Sequence, residues 1–383
     1  MSRQIRYGMV GGDLHAFIGD VHRKAISFDP RAELVAGCFS NIPEYNSETG
    51  KVYDIDMERV YADYKEMAEK ESQREDKIDF VSIVTPNFLH YEIAKAFLLA
   101  GIHVVCEKPL CFKVEEAREL EELAKKNNLL FAMTYAYTGY TMTKVMKEMI
   151  ETGKIGSIIA VNAEYVQDWL LDELSADKKN NLNLSVWRKE PKIAGISNCV
   201  GDLGTHIENM VHYLTGLKIK RVSATVNTFG HELDLNANML VEYENGANGA
   251  YWCSQVAAGR LNGLMVRIYG DKGSLEWEQH FPDYVKYTPK GEATRILSRG
   301  TSYITETAGS YSRIPCGHPE GLYVGFANVY KNYMSALIKL KNGEEVTKEE
   351  RDFPTVSDGV NGVKFVHAVI ESGSNDSKWV NIE

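Results

Sequence analysis

The strongest constraint on this chain is an alternation that runs from residue 6 to residue 134. Five short apolar runs, over 6–10, 34–39, 80–84, 102–106 and 129–134, are separated by stretches with helical periodicity. The runs are too continuously apolar to have one wet face, so each reads as a strand covered on both sides. Helical patterns follow the first strand to about residue 28 and recur over 64–75, 89–100 and 114–127, with Gly101 placed as a C-cap. The segment from the second strand to about residue 58 reads as a connection. Strands and helices taking turns at this spacing imply a parallel, doubly wound sheet, whose right-handed crossovers bring the strand ends to one edge.

The pattern changes near Tyr140. A helix is expected over 142–151 and a strand over 157–166, followed by an irregular stretch rich in Asn, Lys and Asp over 172–194. The segment 199–216 carries Asp202 and His206 on a helix ended by Gly216. Four strand-like stretches lie within 219–277, separated by Glu244-Asn245-Gly246 and Gly270-Asp271-Lys272-Gly273, and helices are expected over 323–340 and 359–371. The expectation is therefore an α/β chain of two domains. Residues 1–138 form a doubly wound nucleotide-binding domain. Residues 139–383 form an α+β domain with an open, mostly antiparallel sheet, and the C-terminal helix packs back on the first domain.

A net charge of −10 over 383 residues argues against nucleic acid as the partner. No apolar run reaches membrane-spanning length and no signal peptide precedes the first strand, so no membrane partner is expected. The six cysteines are scattered and form no C-x-x-C pair, as expected of free thiols in the reducing cytoplasm.

Chemistry concentrates at the fourth strand, which runs into Glu107-Lys108-Pro109. Pro109 lacks an N–H and ends the pairing, leaving a carboxylate and an ammonium at the carboxyl end of a buried strand, where open α/β sheets bind ligands. Between the first strand and its helix lie Gly11, Gly12 and Gly19, an imperfect G-x-G-x-x-G with Asp13 at the second glycine position and extra residues in the loop. Such a loop would bring backbone N–H groups to a dinucleotide pyrophosphate. After the second strand the chain reads Phe39-Ser40-Asn41. Ser40 there supplies no acid for the ribose and no cation for a 2′-phosphate, which favours NAD over NADP as the cofactor.

Gly11…Gly19-x-x-His22, Thr85-Pro86-Asn87-x-x-His90, Glu107-Lys108-Pro109 and Asp202-x-Gly204-x-His206, in this order, closely resemble the Gfo/Idh/MocA family of glucose–fructose oxidoreductase and inositol dehydrogenases. The resemblance covers nearly the whole chain. It implies a Rossmann domain, a C-terminal domain with an open antiparallel sheet, and oxidation or reduction of sugars, polyols and related compounds with NAD or NADP. It also implies that Lys108 is the active-site lysine and that Asp202 and His206 are its acid/base partners. Thr85, Asn87, His90 and Glu107 would then stand on the cofactor side. Glu208 departs from the aspartate of many members.

The chemistry agrees with these roles. Oxidising an alcohol removes a hydride from carbon and a proton from the hydroxyl. A lysine ordinarily titrates near ~10.4, and a closed pocket beside a positively charged nicotinamide disfavours the ammonium form. Asp202 and His206, four apart on a helix, share a face, where a carboxylate can orient and support an imidazole. Tyr137, Asp168, Trp187 and Arg188 are further candidates for a sugar's faces and hydroxyls. The histidines are too dispersed for a metal site. Two other functions fit the same fold: an NAD-dependent glycosidase that oxidises its substrate transiently, and a non-catalytic dinucleotide sensor or corepressor. One face of the C-terminal sheet needs cover, so a homodimer or homotetramer is expected.

Overall fold

A computed structural model describes residues 5–174 and 191–382. The chain forms two compact units, Met1–Gly139 with Leu322–Val360, and Tyr140–Gly321 with Asn361–Glu383.

The first unit is built on five parallel strands, β1 (Ile5–Val10), β2 (Ala32–Cys38), β3 (Phe80–Ile83), β4 (His103–Cys106) and β5 (Phe131–Met133), in the order β2-β1-β3-β4-β5. A single parallel bridge from Gly37 to Val60 extends the sheet beyond β2. Counted as a strand, it gives the six-strand order of dinucleotide-binding folds, whose switch point lies between β1 and β3. Helices α1 (Phe17–Ser27), α3 (Tyr64–Gln73), α4 (His90–Leu99) and α5 (Val114–Lys126) lie where the sequence places them. A further helix, α2 (Pro43–Val52), occupies the expected connection. It buries only Asn46, Thr49 and Gly50, so it has no apolar stripe to read, and Pro43 at its first turn is its one sequence signal.

β3 and β5 are buried throughout, as are most residues of β1 and β4 and the second half of β2, so both faces need cover. On one face α1 is joined by the helix Leu322–Asn342, which the chain returns to supply. Phe326, Tyr330, Tyr333, Met334 and Leu337 from that helix pack with Ile5, Met9, Val21, Ala25 and Phe80 in a single core. Burying each such side chain contributes about 1.5–3 kcal/mol. At the opposite edge, Met133 N–H donates to Pro354 O at 2.9 Å and Thr355 bridges Ala132, so β5 is not left open.

The second unit holds a nine-stranded sheet: β6 (Ile158–Val166), β7 (Ile219–Asn227), β8 (Asn236–Tyr243), β9 (Asn248–Ser254), β10 (Gly263–Gly270), β11 (Gly273–Glu278), β12 (Tyr284–Pro289), β13 (Arg295–Ser298) and β14 (Val380–Asn381). The order is β13-β12-β11-β10-β6-β9-β8-β7-β14. Residues 219–278 thus supply five strands where the sequence suggested four, with Asp271-Lys272 the two-residue turn between β10 and β11. Along β6 the buried Val161, Ala163 and Tyr165 alternate with the more exposed Asn162 and Glu164. The covered face packs against the helices Thr141–Glu151 and Thr205–Thr215. Pairing is antiparallel throughout except between β6 and β9, which run parallel.

Candidate active site

At the carboxyl end of β1 the chain turns sharply through Gly11 and Gly12, whose φ values of +81° and +74° are costly for any other residue. Gly12 lies against Gly19 in the first turn of α1. A Cβ on Gly19 would sit 2.3 Å from Gly12 Cα, and one on Gly12 would sit 2.8 Å from Gly19 Cα. This close approach is the part the third glycine plays in a dinucleotide loop. The widened loop is held locally: Asp13 Oδ1 accepts from His15 N–H at 2.9 Å, and Leu14 N–H donates to Thr49 Oγ1 at 3.2 Å. The buried Arg23 guanidinium donates to Gly12 O from behind the turn. Ser40, just past β2, accepts from Ile42 N–H at 3.3 Å.

Beyond β3, Thr85 Oγ1 and Asn87 Oδ1 are buried and meet no hydrogen-bond partner among the described residues. Buried polar atoms are rarely left this way unless a ligand or water completes them. His90, on the first turn of α4, is fully buried. Its Nε2 lies 2.9 Å from Thr85 O and its Nδ1 2.8 Å from Pro109 O. It therefore ties the loop after β3 to the loop after β4, and burial lowers its pKa.

Glu107 and Lys108 follow β4, and the Lys108–Pro109 bond is cis. The Glu107 carboxylate is buried. It accepts from His22 Nε2–H at 3.0 Å and from the Thr134 hydroxyl. Burial alone would raise its pKa, but the His22 hydrogen bond and charge, the Lys108 charge and Thr134 together hold it at about 2. His22 is itself buried, with Nδ1 2.6 Å from Tyr330 Oη, and Tyr330 Oη lies 2.9 Å from Ser82 Oγ. An anion thus sits beside Lys108, fixed by residues from α1, β3, the segment after β5 and the helix Leu322–Asn342.

In the second unit the segment Val200–Gly204 is a π-helical turn leading into the helix Thr205–Thr215. Such wide turns recur at functional sites. Asp202 lies in that turn, and His206 follows at the start of the regular helix. The start of this segment is capped by Asp234, whose carboxylate accepts from Asn198 N–H at 2.8 Å and Val200 N–H at 2.7 Å. Burial raises the Asp234 pKa above its ordinary value. Asp202 Oδ2 accepts from Gln255 Nε2 at 3.3 Å, and the edge of the Tyr165 ring meets His206 with centroids 5.1 Å apart.

Of the remaining sequence candidates, Tyr137 is buried in the short turn Ala136–Gly139 after β5, stacked obliquely on Tyr135. Asp168 Oδ2 accepts from Gly259 N–H at 3.0 Å. Trp187 and Arg188 lie outside the described residues. Sequence reasoning missed Ser82, Thr134, Tyr330, Asp234 and Gln255. All act through contacts made across long sequence separations, and none carries a local sequence signal.

The glycine turn, the unsatisfied groups after β3 and the Glu107-Lys108 strand end define a dinucleotide-binding oxidoreductase. Comparison with known proteins gives the family. The oxidoreductase family with an NAD-binding Rossmann fold matches residues 5–135, and the GFO/IDH/MocA C-terminal domain matches residues 143–276. The chain belongs to the Gfo/Idh/MocA family. It is 35% identical to the uncharacterized oxidoreductase YfiI of Bacillus subtilis, covering 100% of this chain and 98% of that protein. It is 26% identical to the levoglucosan dehydrogenase of Pseudarthrobacter phenanthrenivorans, over 99% and 98% of the two chains. An inositol dehydrogenase homologue of Azotobacter vinelandii, solved with NAD+, superposes with a TM-score of 0.92 at 34% identity, covering 100% of this chain and 98% of that one. The same homologue has been solved with NADH and myo-inositol, with a TM-score of 0.91.

Two outcomes follow from this geometry. Overpacking the Gly12–Gly19 contact costs about 1–3 kcal/mol, so Gly19→Ala should weaken NAD+ binding roughly tenfold in a fluorescence titration. The second concerns acid stability. The folded pKa of Glu107 is depressed to about 2 from 4.5, so its contribution is present above the unfolded value and is lost as pH falls from there towards about 2. His22→Leu removes the main opposition to burial, and the acid-unfolding midpoint followed by circular dichroism should rise by about one pH unit.

Proposed function

We propose that the protein is an NAD-dependent dehydrogenase that oxidises a CH–OH carbon of a polyol or sugar, with reduction of the carbonyl as the reverse reaction. The observation that carries this reading is the pair of buried, unsatisfied atoms, Thr85 Oγ1 and Asn87 Oδ1. His90 ties their loop to the Lys108–Pro109 turn. The glycine contact and these two atoms fit a nicotinamide dinucleotide. Gly11, Gly12 and Gly19 would hold its pyrophosphate, and Thr85, Asn87 and Glu107 its nicotinamide half. NAD is favoured over NADP because Ser40 and Asn41 offer no cation to a 2′-phosphate.

When bound, the cofactor supplies the hydride acceptor. Lys108 takes the hydroxyl proton as the hydride leaves carbon. His206, supported by the Asp202 carboxylate, serves as the acid/base partner that relays that proton onward. Glu107 stays an anion throughout and fixes the local charge. Tyr137 and Asp168, with Trp187 and Arg188, are the proposed substrate contacts. Relatives that act on levoglucosan or bind myo-inositol support the sugar and polyol class. Six free thiols suit a reducing compartment, and cytoplasm is the proposed location.

The test is a panel of polyols and sugars, including myo-inositol and levoglucosan, with NAD+ or NADP+ and absorbance of the reduced cofactor as readout. Turnover should occur with at least one compound and NAD+. Release of free sugar from a glycoside without net reduction would show the glycosidase instead, and binding without turnover would show the sensor. Lys108→Met should lower kcat by about 10²–10⁴-fold with cofactor affinity retained. A near-normal kcat in that variant would remove Lys108 from the chemistry.

A second proposal concerns assembly. Leu240, Trp252 and Tyr269 lie on the face of the nine-stranded sheet turned away from its helices, around a hollow lined also by Asn162, Asn238 and Arg267. We assign this face to a homodimer or homotetramer. Sedimentation should show an oligomer at micromolar concentration, and Leu240→Asp should shift it towards monomer. A monomeric wild type would refute the assignment.

A further inference from the structure

In the second unit one strand pair departs from the antiparallel rule. β6 and β9 run side by side in the same direction, with Tyr165 opposite Cys253 and Val166 opposite Ser254. Their carboxyl ends therefore emerge together, and each delivers one side chain to the segment carrying Asp202 and His206. From β6, the edge of the Tyr165 ring meets His206 at a centroid distance of 5.1 Å, and its hydroxyl donates to Asn262 Oδ1 at 2.5 Å. From the residue after β9, Gln255 Nε2 donates to Asp202 Oδ2 at 3.3 Å.

Gln255 is completely buried and every polar group it carries is engaged. Its N–H donates to Leu235 O at 2.9 Å, and its carbonyl accepts from Leu170 N–H at 3.0 Å. Its Oε1 accepts from Asn198 Nδ2 at 2.7 Å. The orientation of this amide chain has one determinant. An ionised carboxylate only accepts, so Gln255 must turn its NH2 towards Asp202 and its oxygen towards Asn198. Asn198 then turns its own NH2 to Gln255. Its Oδ1 is left buried, with no hydrogen-bond partner among the described residues. A protonated Asp202 could donate instead and both amides could reverse, but Asn198 would then turn its NH2 into the same unpartnered position. The observed arrangement, with an NH2 turned to the carboxylate, is the one matched to an ionised Asp202.

We propose that Gln255 is a positioning residue for Asp202: its buried amide, oriented through Asn198, fixes the carboxylate and keeps it ionised for its work with His206. This rests on the dehydrogenase reading. Among the described residues, the titratable groups facing Asp202 are Tyr165 on β6, Cys199, with Cys253 of β9 beside it, and His206 on its own helical segment, and Asp234, which caps that segment. Burial pushes the Tyr165 phenol and the Cys199 thiol upward, so both stay neutral through the working range.

The test uses Gln255→Glu and Gln255→Met in the full-length protein, with the fastest substrate of the polyol panel. Gln255→Glu keeps the shape and the Asn198 contact but sets a carboxyl group against Asp202. The acidic limb of its kcat/KM profile should move up by about one pH unit, because two adjacent carboxylates cannot both ionise cheaply. Its kcat at neutral pH should fall about tenfold, and NAD+ affinity should be unchanged. Gln255→Met should move the same limb in the same direction by less. A purely structural role would lower the melting temperature and leave the limb in place. In the wild type, the Gln255 side-chain amide resonances should shift with pH along that limb, which needs no folded variant. Variants with a wild-type limb, or amide resonances flat across it, overturn the proposal while leaving the dehydrogenase reading intact. A wild type that turns over no polyol removes that reading, and this inference with it.

Discussion

The buried carboxylate of Glu107 is the group around which the first unit is arranged. An anion in a low-dielectric interior is costly unless every lone pair finds a donor, and removing one partner leaves an uncompensated charge. Here the donors come from far apart in the chain: His22 on α1 and Thr134 just past β5, with Tyr330 and Ser82 behind the imidazole. Satisfying one charge therefore fixes α1, three strand ends and the helix Leu322–Asn342 against each other. The same arrangement leaves Lys108, the next residue, beside a permanent negative charge at the sheet edge.

In both units the candidate residues gather at carboxyl ends of parallel strands. In the first unit this follows from an all-parallel sheet, where Gly11, Thr85 and Lys108 stand past β1, β3 and β4. The second unit is otherwise antiparallel, and a single parallel pair, β6 with β9, recreates the same convergence. The general rule for open α/β sheets thus reaches into a sheet of a different class.

Much of the first unit is legible from sequence, because strands buried on both faces leave uninterrupted apolar runs and the helices between them carry clear stripes. Helix α2 is not legible, since it packs with Asn46, Thr49 and Gly50 in place of an apolar face. The glycine turn and the Glu107-Lys108 strand end are visible because local backbone and chain order define them. Asp234 and Gln255 are not. Their value lies in which distant N–H or carboxylate they meet, and nothing near them in sequence marks it. The cap of the segment carrying Asp202 is equally hidden, since it comes from Asp234, 32 positions beyond Asp202.

The return of the helix Leu322–Asn342 to the first unit has a consequence for biosynthesis. A ribosome delivers β1 to β5 early, but the aromatic cover for one face of that sheet, Phe326, Tyr330 and Tyr333, arrives only after the whole second sheet apart from its last strand. Until then the nascent nucleotide-binding half displays bare apolar surface, and His22 lacks its phenolic partner. Vectorial folding cannot finish the first unit first. The chain closes it only once residues 322–342 have been made, so a product stalled or terminated before them carries an exposed core and becomes work for chaperones and proteases.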